Sequence, residues 1–148
     1  MTNTRAGGYA GDISAAEAYE FLSKDSAALL VDVRTKPEWA FVGAPDLSNI
    51  SKEPIFIEWQ EFPSMRVAPE FVARLKEAIG KHGGDASAPI LFLCRSGARS
   101  RAAAIAMSAA GQLHCFNIAG GFEGRHDDQR RRGSVNGWKA DGLPWAQS

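Results

Sequence analysis

Residues Pro89–Ala110 read PILFLCRSGARSRAAAIAMSAA, and this stretch decides the fold. Pro89–Leu93 is a short, wholly apolar run, the pattern of a strand buried on both faces. CRSGA (Cys94–Ala98) contains Ser and Gly and reads as a tight turn. Ser100–Ala110 is an Ala-rich helix stopped by Gly111. Because Ala, Ile and Met lie on nearly all its faces, the spacing predicts a largely buried helix.

The same alternation extends in both directions. Ser14 and Glu17 have capping-box spacing, and Ala15, Ala18, Tyr19 and Leu22 share one helical face. ALLVDV (Ala28–Val33) is a buried strand, and TKPEWAF (Thr35–Phe41) one short helical turn with Pro37 near its start. Val42–Ile50 is loop-like, and PIFIEW (Pro54–Trp59) is a second short strand. Pro69 opens a helix with Phe71, Val72, Leu75, Ala78 and Ile79 on one face, which HGGD (His82–Asp85) ends with His82 suited to the C-terminal cap. Leu113–Ile118 is a last strand, followed by Gly120–Gly121. From Phe122 the tail is irregular, and Trp138, Pro144 and Trp145 are expected to pack back on the body. Strands alternating with helices imply an α/β domain with a mainly parallel central sheet flanked by helices. Ligands of such sheets bind beyond the carboxyl ends of the strands, where Cys94 falls.

The chain has 148 residues, the size of one domain, and folding at that size buries roughly 68% of the unfolded surface. A single domain over 1–148 is expected, with its core at about 13–145 and residues 1–12 as an N-terminal extension. Seventeen Lys+Arg balance seventeen Asp+Glu, which argues against a polycationic grip on nucleic acid or anionic lipid. Residues 1–14 show no apolar secretory segment, and Ala102–Ala110 falls far short of the roughly 18 residues that span a bilayer. A cytoplasmic protein with free thiols is expected, with neither nucleic acid nor membrane as partner. Cys94 and Cys115 lack C-x-x-C spacing, and His114 and His126 lack partners at metal-ligand spacing, so neither metal nor cofactor is expected. Cys115 lies in an apolar strand and reads as core.

Cys94 differs in its setting. The turn Arg95–Ser96–Gly97–Ala98 can aim successive backbone N–H groups at one point, and the helix start at Arg99–Ser100 adds unpaired N–H groups and the positive end of the macrodipole. A thiolate at the centre of that cup is favoured. Arg95, Arg99 and Arg101 gather three cations near one thiol, an excess suited to an anion, either the thiolate itself or a bound oxyanion. Asp32, at the end of a buried strand, could bond loop N–H groups, orient an arginine or simply pair with Arg34. Trp59, Phe62 and Met65 fit either the mouth of a pocket or the core. QRRR (Gln129–Arg132) follows Asp127 and Asp128 and reads as a self-compensated exposed loop.

At these residues the sequence resembles the rhodanese (sulfurtransferase) family. CRSGAR resembles its active-site loop, VDVR (Val31–Arg34) with Glu38 its early D-x-R…E element, and Gly120–Gly121 its late Gly-rich signature. GWKADGLPW (Gly137–Trp145) resembles the ending of single-domain members. The likeness runs from about Ile13 to Trp145. It departs at VGAPDLSNI (Val42–Ile50), which lacks the family's His, and in a loop without Lys.

The resemblance implies a single rhodanese-like domain. It also implies a persulfide on Cys94, with sulfur taken from a small anionic donor such as thiosulfate. The acceptor would be cyanide, a thiol or a thioredoxin-like protein. Arg95, Ser96, Gly97, Ala98, Arg99 and Ser100 would bind substrate, with Asp32 and Arg34 in support. Two other readings stand beside it. One is a redox-sensing or docking module using the same thiolate. The other is a cysteine phosphatase or arsenate reductase, whose C-x5-R spacing is not met by Cys94–Arg99 or Cys94–Arg101.

Overall fold

The computed structural model describes residues 6–147; residues 1–5 of the expected N-terminal extension lie outside the described residues. In chain order the elements are β1 (Gly11–Ile13), α1 (Ala15–Lys24), β2 (Leu29–Asp32), β3 (Ala44–Pro45), β4 (Ile55–Phe56), β5 (Gln60–Glu61), β6 (Arg66–Val67), α2 (Phe71–Lys81), β7 (Ile90–Leu93), α3 (Ala98–Ala109), β8 (Cys115–Ile118) and β9 (Trp145–Ala146). The central sheet has five strands in the order β1-β8-β7-β2-β4, every neighbouring pair parallel. This is the α/β architecture with a parallel sheet flanked by helices that the sequence implies.

Side chains alternate across the two faces of each strand, so a strand covered on both sides must be apolar throughout. In β7, Ile90 and Phe92 face the core under α2 and α3, while Leu91 and Leu93 face the core under α1 and the tail. In β2, Leu29 and Val31 take the first face and Leu30 the second. The α1 cap forms as its spacing predicts: Glu17 N–H donates to Ser14 Oγ (3.1 Å) and Ser14 N–H to Glu17 Oε1 (2.8 Å). His82 caps α2 as expected.

Several boundaries differ from the sequence expectation. α3 starts at Ala98 rather than Ser100, and its burial is one-sided: Ser100, Ala103, Ala104, Met107 and Ser108 are buried, whereas Arg101 and Ala109 are exposed. Alanine is small and helix-favouring on either face, so it reports burial weakly. The turn at Thr35–Phe41 becomes a wide helix over Glu38–Val42, closed by Gly43 N–H donating to Glu38 O (3.2 Å). β4 is shorter than Pro54–Trp59, and β5 and β6 form a small hairpin that the sequence did not reveal. β1 was also unforeseen, because three residues beginning with Gly11 carry no apolar run.

The tail packs back as expected. Trp138 is fully buried, meets Tyr19 edge to face and donates its indole N–H to Pro144 O (2.6 Å). β9 pairs antiparallel with β3. Among the described residues, no helix is long and apolar enough to cross a membrane. Trp138→Ala removes the largest buried side chain together with that hydrogen bond. Chemical denaturation should show a loss of ~3–5 kcal/mol.

Candidate active site

Cys94 extends the β7 alternation by one step, sharing the α3-side core with Ile90 and Phe92, and is 1% exposed. Beyond it the chain must turn sharply. Gly97 does so at φ +117°, and a Cβ there would lie 2.4 Å from Ala119 O, so both the conformation and the space require glycine. Gly97 N–H donates to Cys94 Sγ (3.1 Å). Ser100 Oγ lies 3.1 Å from the same sulfur and 2.6 Å from Asn117 Oδ1. Arg101 N–H to Gly97 O (3.2 Å) lies one turn into α3. The amides of Ala98, Arg99 and Ser100 before it are orphan donors of the helix start, beside the thiol.

The loop is braced from the tail. Phe122 N–H donates to Cys94 O (2.7 Å), and Glu123 and Gly124 N–H to Arg95 O (3.0 and 3.1 Å). Because a peptide unit is planar with N–H and C=O opposed, holding the carbonyls in the tail turn commits the amide edges to the other side. Gly121, at φ +65°, permits this approach: a Cβ there would lie 2.5 Å from Arg95 O and 2.7 Å from Cys94 O. Gly121→Ala should therefore destabilise the protein by at least ~1–3 kcal/mol in urea unfolding and slow alkylation of Cys94.

The cations are distributed differently from the sequence expectation. Arg101 turns away from the thiol, with Nε 3.3 Å from Tyr9 Oη. Arg99 is clamped by Glu38, Nη1–Oε1 2.7 Å and Nη2–Oε2 2.9 Å, so it lines the site with two of its N–H donors already engaged. Arg95 is exposed. Asp32 and Arg34 are fully buried and pair with each other, Nη2–Oδ2 2.7 Å. Arg34 Nη2 also donates to Gly43 O (2.8 Å), and its guanidinium stacks over Phe122 at 4.1 Å. That pair joins the end of β2 to the Glu38–Val42 helix and the tail, a supporting role at one remove from the sulfur.

Cys94 opens onto a cavity of about 750 Å³ whose wall includes Arg95, Ser96, Ala98, Glu123, Arg130 and Arg132. The last two come from the loop read as self-compensated. Asp127 Oδ1 accepts the Gln129 and Arg131 amides, which shapes the loop, while Arg132 Nη1 donates to Gly124 O (2.6 Å) beside the site. His126, Gln60 and Met65 also line the cavity. Trp59 instead packs edge-on against Phe71 in the core, and Phe62 is exposed. No local motif marks Arg130 or Arg132, because a loop brings them from a distant part of the chain. Asn117 could have been noticed as the one amide in the apolar run of β8.

Burial would raise the Glu38 carboxyl, but the Arg99 hydrogen bonds and charge, with the Thr35 N–H and hydroxyl, hold it down at about 2. A carboxyl with a depressed folded value stabilises the fold above its unfolded value, ordinarily 4.5, and that contribution is lost as pH falls toward about 2. Between pH 7 and pH 3 the protein should lose about 2 kcal/mol from this group. Urea unfolding of Glu38→Gln should lack that part of the acid limb.

With this geometry in place, comparison with known proteins is informative. Residues 10–148 match the family model described as the STR4 middle domain. An uncharacterized protein of Rickettsia conorii is 39% identical over 134 residues, 90% of this chain and 95% of its own length. A homologue from Rickettsia prowazekii is 38% identical over the same span. The crystal structure of Rv0390 from M. tuberculosis matches with a TM-score of 0.84 at 42% identity, covering 95% of this chain and 99% of that one. The polysulfide-sulfur transferase homodimer of Wolinella succinogenes matches with a TM-score of 0.58 at 22% identity, covering 97% and 81%. That last likeness is one of fold, and the architecture is rhodanese-like.

Proposed function

The chain belongs to the STR4 middle domain family, and from that premise we propose that it is a sulfurtransferase carrying sulfane sulfur as a persulfide on Cys94. The observation that carries this reading is the braced cup: Gly97 N–H on the sulfur, the orphan amides at the start of α3 beside it, and the loop carbonyls held behind. Such a cup suits a thiolate and then a persulfide anion. The distant fold likeness to a polysulfide-sulfur transferase agrees with it.

In the first half-reaction the Cys94 thiolate attacks the outer sulfur of a donor such as thiosulfate. A bond forms from Sγ to that sulfur, the donor's S–S bond breaks, and its electron pair leaves with sulfite. In the second, a thiophile such as cyanide or a thiol attacks the outer sulfur of the persulfide. The Cys94 S–S bond then breaks, and its electron pair returns to Sγ as thiolate. No net redox change or external cofactor is needed, and the two half-reactions predict ping-pong kinetics. Arg95, Arg130 and Arg132 on the cavity wall provide the attraction for an anionic donor, with Ser96 and Ala98 on the same wall. The cavity also has room for a donor or acceptor much bulkier than thiosulfate.

Cys94 is 1% exposed at the base of that cavity, an arrangement that favours a docked reagent over indiscriminate oxidation and so disfavours the sensing module. Arg99 is paired with Glu38, and Cys94–Arg99 lacks the C-x5-R spacing, so the phosphate clamp of a cysteine phosphatase is not reproduced.

Intact-protein mass spectrometry after incubation with thiosulfate tests the proposal. The chain should gain the mass of one sulfur atom and lose it to cyanide, while folded Cys94→Ser gains nothing. Sulfur uptake by Cys94→Ser would refute the mechanism. No uptake from thiosulfate or from a small-molecule persulfide would refute the carrier role.

A further inference from the structure

A chain of hydrogen bonds runs behind Cys94, away from the cavity, and the proposed sulfur chemistry does not use it. The register of the sheet sets it up: Asn117 of β8 pairs with Phe92 of β7 on one side and with Asp12 of β1 on the other. Asn117 Nδ2 donates to Asp12 Oδ1 (3.0 Å), and Asn117 Oδ1 lies 2.6 Å from Ser100 Oγ. Ser100 Oγ is 3.1 Å from Cys94 Sγ. At the outer end, Tyr9 Oη donates to Asp12 Oδ1 (2.6 Å), and Arg101 Nε donates to Tyr9 Oη (3.3 Å). The bond to Asp12 is the first cause of a raised Tyr9 pKa, so the phenol keeps its proton.

The direction of each donor follows. An ionised carboxylate only accepts, so Asp12 draws the NH2 edge of Asn117 and leaves its carbonyl facing Ser100. A serine hydroxyl has one proton. At 2.6 Å from Asn117 Oδ1 and 3.1 Å from the sulfur, that proton belongs to the amide oxygen, and Ser100 presents a lone pair to Cys94. A thiol can donate into that lone pair. A persulfide carries its charge on the outer sulfur, so Ser100 need not turn. A bare thiolate needs the proton itself, and taking it leaves two acceptor oxygens facing each other at 2.6 Å. We infer that Asp12, acting through Asn117, holds the Ser100 hydroxyl proton away from Cys94 and so tempers the stabilisation that the backbone cup gives the bare thiolate, while sparing the thiol and persulfide forms. Asp12 is thus a positioning residue, and the inference rests on the reading of Cys94 as the sulfur carrier.

The other charges near the sulfur are Arg95 and Arg99 on the loop and helix start, Glu38 facing Arg99, Asp32 beneath, and Glu123, His126, Arg130 and Arg132 from the tail. They are the same in every variant compared, as are Tyr9 and Arg101 at the outer end.

The test is the rate of Cys94 alkylation by iodoacetamide between pH 5 and pH 10, read as the midpoint of the rate profile. Asp12 is exposed on an edge strand, and Asp12→Ala should fold. It frees the Asn117 amide to turn over and Ser100 to donate to sulfur, and the midpoint should fall by about one pH unit. Asn117→Leu should move it the same way. In a Ser100→Ala background the Asp12→Ala shift should vanish. An unchanged or raised midpoint in Asp12→Ala overturns the inference. So does a fall that persists without the Ser100 hydroxyl, which would mark a through-space charge effect. Alkylation needs no sulfur donor, so this result stands or falls separately from sulfur uptake.

Discussion

The carbonyl oxygens of Cys94 and Arg95 accept hydrogen bonds from the amides of Phe122, Glu123 and Gly124, and the rest of the site depends on that capture. A turn between a strand and a helix has no ladder to fix its peptide planes. Here an outside element fixes them, and it approaches so closely that only glycine fits at Gly121 and at Gly97. With the carbonyls held, the turn presents the Gly97 N–H to the Cys94 sulfur in a fixed position. Little reorganisation is then required when charge appears there.

The arginines of this chain of zero net charge are used in different ways. Arg34 is used internally, in a buried pair that ties β2 to the Glu38–Val42 helix and, through Phe122, to the same tail that holds the loop. Arg99 is used to fasten that helix to the start of α3 through Glu38. Removing one partner of either pair would leave a poorly compensated charge in a desolvated place, so each pair fixes the geometry of the elements it joins. Arg95, Arg130 and Arg132 instead line the wall of the cavity onto which Cys94 opens.

The parts of this design visible in the sequence are those written in contiguous residues. PILFL, CRSGA and the helix after them announce a strand, a turn and a helix start. Gly120–Gly121 could be singled out by type, and Ser14–Glu17 by spacing. The cap of α1 and both faces of β7 follow from such local rules. What could not be read is long-range. Arg99 and Arg101 look equivalent, yet the half turn of helix between them sends the first to Glu38 and the second to Tyr9. Arg130 and Arg132 enter the site because the tail folds over it, and Asp12 meets Asn117 because of strand register. Pairings of this kind are set by tertiary packing, which no window along the chain contains.

The tail that braces the loop also determines when the surroundings of Cys94 are complete. A ribosome releases the chain from its N-terminus, and the sheet strands together with Cys94 emerge before Phe122, Trp138 and Trp145. Until those later residues dock, the loop carbonyls lack their partners and the donors around the sulfur are unaligned. During synthesis Cys94 therefore sits at the end of β7 beside a turn that is not yet braced. The amides of Phe122, Glu123 and Gly124 that hold the loop carbonyls reach the site only after Cys94 and the strands of the central sheet have left the ribosome.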